Sequence, residues 1–256
     1  MIASDLMRPF LQSLKPLAVS LIRKAGLLEF SDRIRMRLAK RRSPADKERF
    51  QKLHPGVALP PEEILYDAIG VLQWESYWQS GQESARFLAG IIRSHLSGGT
   101  VLEWGCGPAR IVRHMPDALG PAFNVIGSDY NRRTIAWCAE NIRSTRFLEN
   151  GLMPPLAVAA ESLACVYAVS VFTHLSEAAH RAWIQHLLLV LQPGGLLIIS
   201  THGDAARDRL LRREANAYDR GDLVVRDRVL RLQNVPRVPA CGNSTRAARP
   251  RANEAP

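Results

Sequence analysis

The residues best placed to do chemistry are a carboxylate and a glycine turn in one short run, Val101-Leu102-Glu103-Trp104-Gly105-Cys106-Gly107-Pro108. An apolar stretch enters a glycine-rich turn, and glycine lets the backbone bend sharply and approach a ligand closely. A nicotinamide-binding loop would read G-x-G-x-x-G; here Arg110 stands at the third glycine, so that pattern fails. Glu103 would repel a pyrophosphate but suits a ligand carrying an ammonium and a sulfonium charge. A second carboxylate, Asp129, follows Gly107 by 22 positions at the end of the next apolar stretch, Val125-Ile126-Gly127-Ser128-Asp129. A carboxylate there can accept hydrogen bonds from both hydroxyls of a ribose. On its own it reads equally as a helix cap, and Glu103 upstream tips the reading toward ribose.

These residues need a scaffold, and the pattern supplies one. After Gly98-Gly99, short apolar runs alternate with helical stretches. Strands are expected at 101–104, 124–128, 146–148, 163–170 and 196–201, and helices at 109–119, 132–142 and 177–191. Pro108 suits the first turn of the helix expected from Ala109. The alternation predicts an α/β fold with a mostly parallel sheet and helices on both faces. Upstream, 62–96 reads as helical, with Leu65, Ile69 and Leu72 on one face and Phe87, Ile91 and Ile92 on another. Trp74, Tyr77 and Trp78 between them fit either core packing or the wall of a substrate pocket.

The chain of 256 residues carries a net charge of +10, unevenly spread. Residues 1–54 hold a balance of +8, 55–206 of −4 and 207–256 of +6. A nucleic-acid enzyme would place basic surface beside its site, whereas here the middle is mildly acidic, which argues against a nucleic-acid partner. Residues 6–42 show apolar positions at helical spacing (Leu6, Phe10, Leu14, Leu17, Leu21, Leu28) and end in Lys40-Arg41-Arg42. They read as a basic helical arm, either solvated or in peripheral contact with an anionic membrane. No apolar run is long enough to span a bilayer, and nothing resembles a secretory signal. Cys106, Cys138, Cys165 and Cys241 form no C-x-x-C pair, so a reduced, cytoplasmic protein is expected. No cluster has metal-ligand spacing. The organisation expected is an arm and linker over 1–60, a main domain over 61–230 and a tail over 231–256.

Taken together, the motifs resemble class I S-adenosylmethionine-dependent methyltransferases. Glu103-Trp104-Gly105-Cys106-Gly107-Pro108 is similar to their first motif, with Ala109 where the family usually has a last glycine. Ser128-Asp129-Tyr130-Asn131 resembles the acidic segment that follows. Asn150-Gly151-Leu152-Met153-Pro154-Pro155 stands where the family meets the adenine, and Leu191-Gln192-Pro193-Gly194-Gly195-Leu196 resembles the turn before strand five. The run from Ser170 to Glu177, SVFTHLSE, is similar to a bacterial subset. The resemblance implies a Rossmann-like sandwich and methyl transfer from S-adenosylmethionine to a small-molecule, glycan or lipid-linked acceptor. It further implies that Glu103 holds the methionine ammonium and that Gly105, Cys106 and Gly107 lie along the cofactor. Asp129 would hold the ribose; Tyr130, Asn150 and Gly151 the adenine; Val171 and Phe172 the methionine end. His174, after strand four, is the candidate general base, weighed equally against a capping or packing role; His202 is the weaker candidate.

The family ends in an antiparallel hairpin. Leu223-Val224-Val225 could begin it, but from Arg231 the composition turns to Arg, Pro and Ala without an aromatic residue. That shift predicts disorder, an incomplete hairpin and an interruption of the reading frame, which the other two frames of the coding DNA would test. A non-catalytic, cofactor-binding relative is the alternative. The acceptor and the oligomeric state stay open.

Overall fold

The computed structural model describes residues 28–222 and 224. Most of the arm's apolar stripe, the strand expected at 223–225 (apart from Val224) and the tail from Arg231 lie outside them. Three helices come first: α1 (Leu28–Leu53), α2 (Glu62–Ile69) and α3 (Trp74–His95). The alternating region then runs β1 (Gly99–Trp104), α4 (Met115–Leu119), β2 (Phe123–Asp129), α5 (Arg132–Asn141), β3 (Arg146–Glu149), β4 (Leu163–Ala168), α6 (Glu177–Val190), β5 (Leu191–Ile199) and α7 (Arg212–Asp219). The five strands are ordered β3-β2-β1-β4-β5, and every pairing is parallel. The expected α/β sandwich is therefore present.

Strand alternation sorts the core into two layers. Val101, Val125, Cys165 and Tyr167 face Ala85, Leu88, Ala89 and Ile92 of α3 and Ile135 and Cys138 of α5. Leu102, Trp104, Ile126, Val166 and Ala168 face Ala179, Trp183, Leu187 and Val190 of α6. The chain builds β1, β2 and β3 outward, then returns to place β4 on the other side of β1. That reversal leaves a crevice beyond the C-terminal ends of β1 and β4, where open α/β sheets bind ligands.

Four local readings need correction. The helix expected over 109–119 does not start at Ala109, whose φ of 60° is left-handed. A 3-10 turn spans Val112–His114, and the α-helix waits for Met115; Pro116, with no N–H to donate, fits its first turn. Strand four stops at Ala168 rather than residue 170, because Ser170 also takes φ 60°. Strand five begins at Leu191, before the Pro-Gly-Gly run: Leu163 pairs with Leu191 and Cys165 with Leu196, so those residues bulge out of the strand. Finally, Phe87 is exposed. The buried stripe of α3 is Tyr77, Gly81, Ala85, Leu88, Ala89 and Ile92, a helical period on which Phe87 falls outside.

Candidate functional site

Glu103 occupies the last turn of β1 and is 3% exposed. In the parallel register it lies beside Gly127 on β2 and Tyr167 on β4. The Tyr167 hydroxyl donates to its Oε2 at 3.0 Å. Burial pushes the Glu103 carboxyl up to about 8, against the lowering effects of the Tyr167 hydrogen bond and the Arg110 charge. Without a cationic partner this carboxyl is largely protonated at neutral pH.

The turn that follows is fixed by hydrogen bonds. The Gly105 and Cys106 N–H groups both donate to the Ser128 carbonyl, at 2.7 and 2.8 Å. Gly105 has φ 75°, and a Cβ there would lie 2.3 Å from Val171 Cγ2. Only glycine meets both demands. Val171 is thus packed directly against the turn, at the start of the segment after β4. Phe172, expected at the methionine end, is instead buried in the core, where it meets Trp104 edge-on with ring centroids 5.3 Å apart. The Cys106 thiol lies 3.6 Å from the Gly107 carbonyl, and burial raises its pKa.

Asp129 ends β2 as expected. Its Oδ2 accepts from the Gly107 N–H at 2.9 Å and its Oδ1 from the Asn131 N–H at 2.8 Å. Burial raises its pKa, and these backbone donors partly offset that. One carboxylate therefore ties the glycine turn to the start of α5, and it keeps acceptor capacity for a further donor. Asn131 serves as the helix cap, its Oδ1 accepting from the Thr134 N–H at 3.2 Å. Tyr130 beside it is exposed. At the end of β3, the Asn150 N–H donates to the Asp129 carbonyl at 3.0 Å. Asn150 Nδ2 donates to the Gly151 carbonyl at 2.8 Å, and its buried Oδ1 has no partner. Gly151 is exposed.

A cavity of about 160 Å³ opens on this turn, lined among others by Glu103, Gly105, Gly107, Arg110 and Ser170. Ala68 and Ile69 of α2 close its far side. The volume is below the roughly 300 Å³ usual for a whole small-molecule site. Asp129, Tyr130 and Asn150 do not line it. Buried carboxylates for cationic and hydroxyl groups, and an orphaned amide oxygen near the expected adenine position, fit an adenosyl compound.

Helix α3 holds the turn from behind. The Tyr77 hydroxyl donates to the Pro108 carbonyl at 2.6 Å. A Cβ on Gly81 would sit 2.0 Å from the Arg110 carbonyl oxygen, so this mid-helix glycine allows contact of backbone with backbone. Trp74 and Tyr77 are buried and Trp78 packs edge-on to His114 at 4.3 Å, so this trio is packing rather than pocket wall. Gly81, Arg110, Ala68 and Ile69 were not among the expected site residues, and Tyr77 was expected only as core packing or pocket wall; a glycine inside a helical pattern was the one available signal.

His174 lies in a 3-10 turn after β4 and is exposed. His202 is also exposed, beyond the end of β5. Among the described residues no group of three or more His, Cys, Asp or Glu could hold a metal, and no helix is long and apolar enough to cross a membrane.

Residues 101–195 match the family model described as a methyltransferase domain. No curated protein matches in sequence. Solved structures with a similar fold include a TehB-like SAM-dependent methyltransferase from Corynebacterium glutamicum (17% identity, 48% of this chain and 63% of that one, TM-score 0.40). Another is an amino pentose methyltransferase from Micromonospora echinaspora (19% identity, 59% of each chain, TM-score 0.44). A third is DesVI of Streptomyces venezuelae (14% identity, 57% and 59%, TM-score 0.45). The chain spans about three-fifths of the length of these three structures.

Proposed function

We propose that this chain, whose residues 101–195 match a methyltransferase-domain family model, moves a methyl group from S-adenosylmethionine to a small-molecule, glycan or lipid-linked acceptor. The observation that carries the proposal is the pair of buried carboxylates, Glu103 and Asp129, on adjacent strand ends flanking one glycine turn. When bound, S-adenosylmethionine supplies an electrophilic methyl on a sulfonium, displaced in line by the acceptor.

The protein's own residues do the binding and orienting. Glu103 takes the ammonium, which favours its ionised form. Asp129 accepts from the ribose hydroxyls through the acceptor capacity its backbone donors leave. Tyr130, Asn150 and Gly151 border the adenine, with Asn150 Oδ1 as the acceptor for its amino group. Gly105, Cys106, Gly107 and Val171 form the wall along the thioether. Holding both reactants in place is the main source of acceleration in such a displacement. His174, exposed at the β4 end of the crevice, is the group we assign to take the acceptor's proton at a ring nitrogen. The three buried, free thiols Cys106, Cys138 and Cys165 fit a cytoplasmic setting. Residues 1–60 are read as the arm, either solvated or in peripheral contact with a membrane, 61–230 as the catalytic domain and 231–256 as the tail.

Calorimetric titration with S-adenosylmethionine tests binding, and release of S-adenosylhomocysteine with a panel of acceptors tests turnover. Micromolar binding that is lost in Glu103→Gln and Asp129→Ala is the expected result. Folded protein with no uptake would end the proposal. Uptake without product from any acceptor would favour the non-catalytic reading suggested by the composition change at Arg231.

A further inference from the structure

Helix α3 carries two glycines in opposite surroundings. Gly81 faces inward, where the Arg110 carbonyl leaves no room for a Cβ. Gly90 faces outward, and a Cβ built there meets nothing within 4 Å. Glycine weakens a helix interior relative to alanine, and among the described residues no contact accounts for it at this position. Three residues earlier stands Phe87, 70% exposed, the highest exposure of any large apolar side chain among the described residues.

At about 3.6 residues per turn, Glu83, Phe87, Gly90 and Ser94 share one face of α3. All four are exposed. Their face lies opposite the buried stripe of Gly81, Ala85, Leu88 and Ile92. Half-buried Ile91 extends the apolar surface beside Phe87.

A ring that stands out and a gap one turn further along the same face are complementary to themselves. Charge is arranged in the same sense. Glu83 precedes the pair and Arg93 follows it, and neither joins an ion pair among the described residues. A two-fold contact requires such a self-complementary patch. An antiparallel pairing of two copies, with the axis between Phe87 and Gly90, sets each ring over the other copy's gap. The same register brings each Glu83 opposite Ser94 and within reach of Arg93. A parallel pairing would instead lay ring on ring and carboxylate on carboxylate.

We propose that the outer face of α3 binds a second copy of this chain as an antiparallel helix pair, with Phe87 on the partner's Gly90 and Glu83 against the partner's Arg93. One helix pair covers less than the roughly 1,200 Å² at which stable complexes begin. The dimer is therefore weak, with a Kd of about 10–100 μM. The inner face of α3 braces the ligand turn, so the cavity stays open in the dimer.

Sedimentation equilibrium of the full chain from about 1 to 300 μM tests this, and the wild type should pass from monomer to dimer across that range. Phe87→Glu, and Gly90→Gln, which fills the gap, should each weaken association by about 10-fold or more. Gly90→Gln should also keep or raise Tm, because it removes a glycine from a helix interior; lost association is then not lost folding. Glu83→Arg and Arg93→Glu should each weaken the dimer by about three- to tenfold. The doubly reversed chain should return to within about twofold of the wild type. A wild type that stays monomeric to about 300 μM would overturn the proposal and leave the face to solvent or to residues 1–27. An unchanged Kd in either Phe87→Glu or Gly90→Gln, or a doubly reversed chain no tighter than the single variants, would overturn it as well.

Discussion

The two sides of the sheet's C-terminal edge treat their polar groups in opposite ways. Beyond β1, β2 and β3, Glu103, Asp129 and Asn150 are buried and wired to the backbone or to Tyr167. Beyond β4 and β5, His174 and His202 are exposed, and Ser170 N–H and Thr173 are satisfied by neighbouring Ser200 and Ser170. The first side has spent conformational freedom on a fixed set of acceptors before any ligand arrives. The second leaves its groups to be organised by what binds. Such a division suits one invariant ligand and one acceptor met from solvent.

The sharpest way to break this contrast lies on the open side. His174→Ala should lower kcat by about 100-fold or more, the range for a positioned base, while the Kd for S-adenosylhomocysteine stays within about twofold. Stopped kinetics paired with calorimetry would show it; a shared loss in both quantities would mean that His174 is structural. The next effect belongs to the fixed side. Gly105→Ala forces a Cβ into Val171 at a left-handed φ, and should cost about 3 kcal/mol in urea unfolding, strain and overpacking combined. A loss under about 1 kcal/mol would show that the turn can yield.

Proton linkage follows. An acid whose pKa is raised on folding holds its proton in the native state while the unfolded chain has released it, so stability falls as pH rises from 4.5 to about 8. Glu103→Gln should flatten that decline. For the wild type, uptake of S-adenosylmethionine should expel about one proton near pH 7, read from calorimetry in buffers of different ionisation enthalpy, and affinity should rise about tenfold per pH unit up to about 8. Proton release of the same size in Glu103→Gln would locate the linkage elsewhere. The smallest effect is a control: Gly194→Ala also has φ 77° but meets nothing within 4 Å, so about 1 kcal/mol is expected. Equality with Gly105→Ala would show that the Val171 contact adds nothing to the cost at Gly105.

Legibility in the sequence follows the same line. Glu103, Gly105, Gly107 and Asp129 were readable because strand, turn and carboxylate lie within a few residues and their spacing is set by local geometry. Asn150 was readable only through resemblance, because β3 is four residues long and weakly patterned. Arg110 was seen only as the residue that spoiled a glycine pattern, since its neighbours Ser80, Gly81 and Ser84 come from about thirty positions upstream. The start of the helix after β1 was misplaced because the left-handed turn at Ala109 is imposed by packing, not by its helix-favouring side chain. Phe87 misled in the other direction: apolar character alone does not choose a face when Ala85, Leu88 and Ala89 fill the stripe.

The contact of Gly81 with Arg110 has a practical corollary for anyone trimming this molecule. The segment with a family signature, 101–195, begins after the helix that braces its own ligand turn. Cut there, the fragment would forfeit the Tyr77 strut and lay bare Met115, Val112 and the sheet surface that α3 now shields. The shortest piece worth expressing therefore starts ahead of Phe50, whose ring helps seat Trp74 and Leu65.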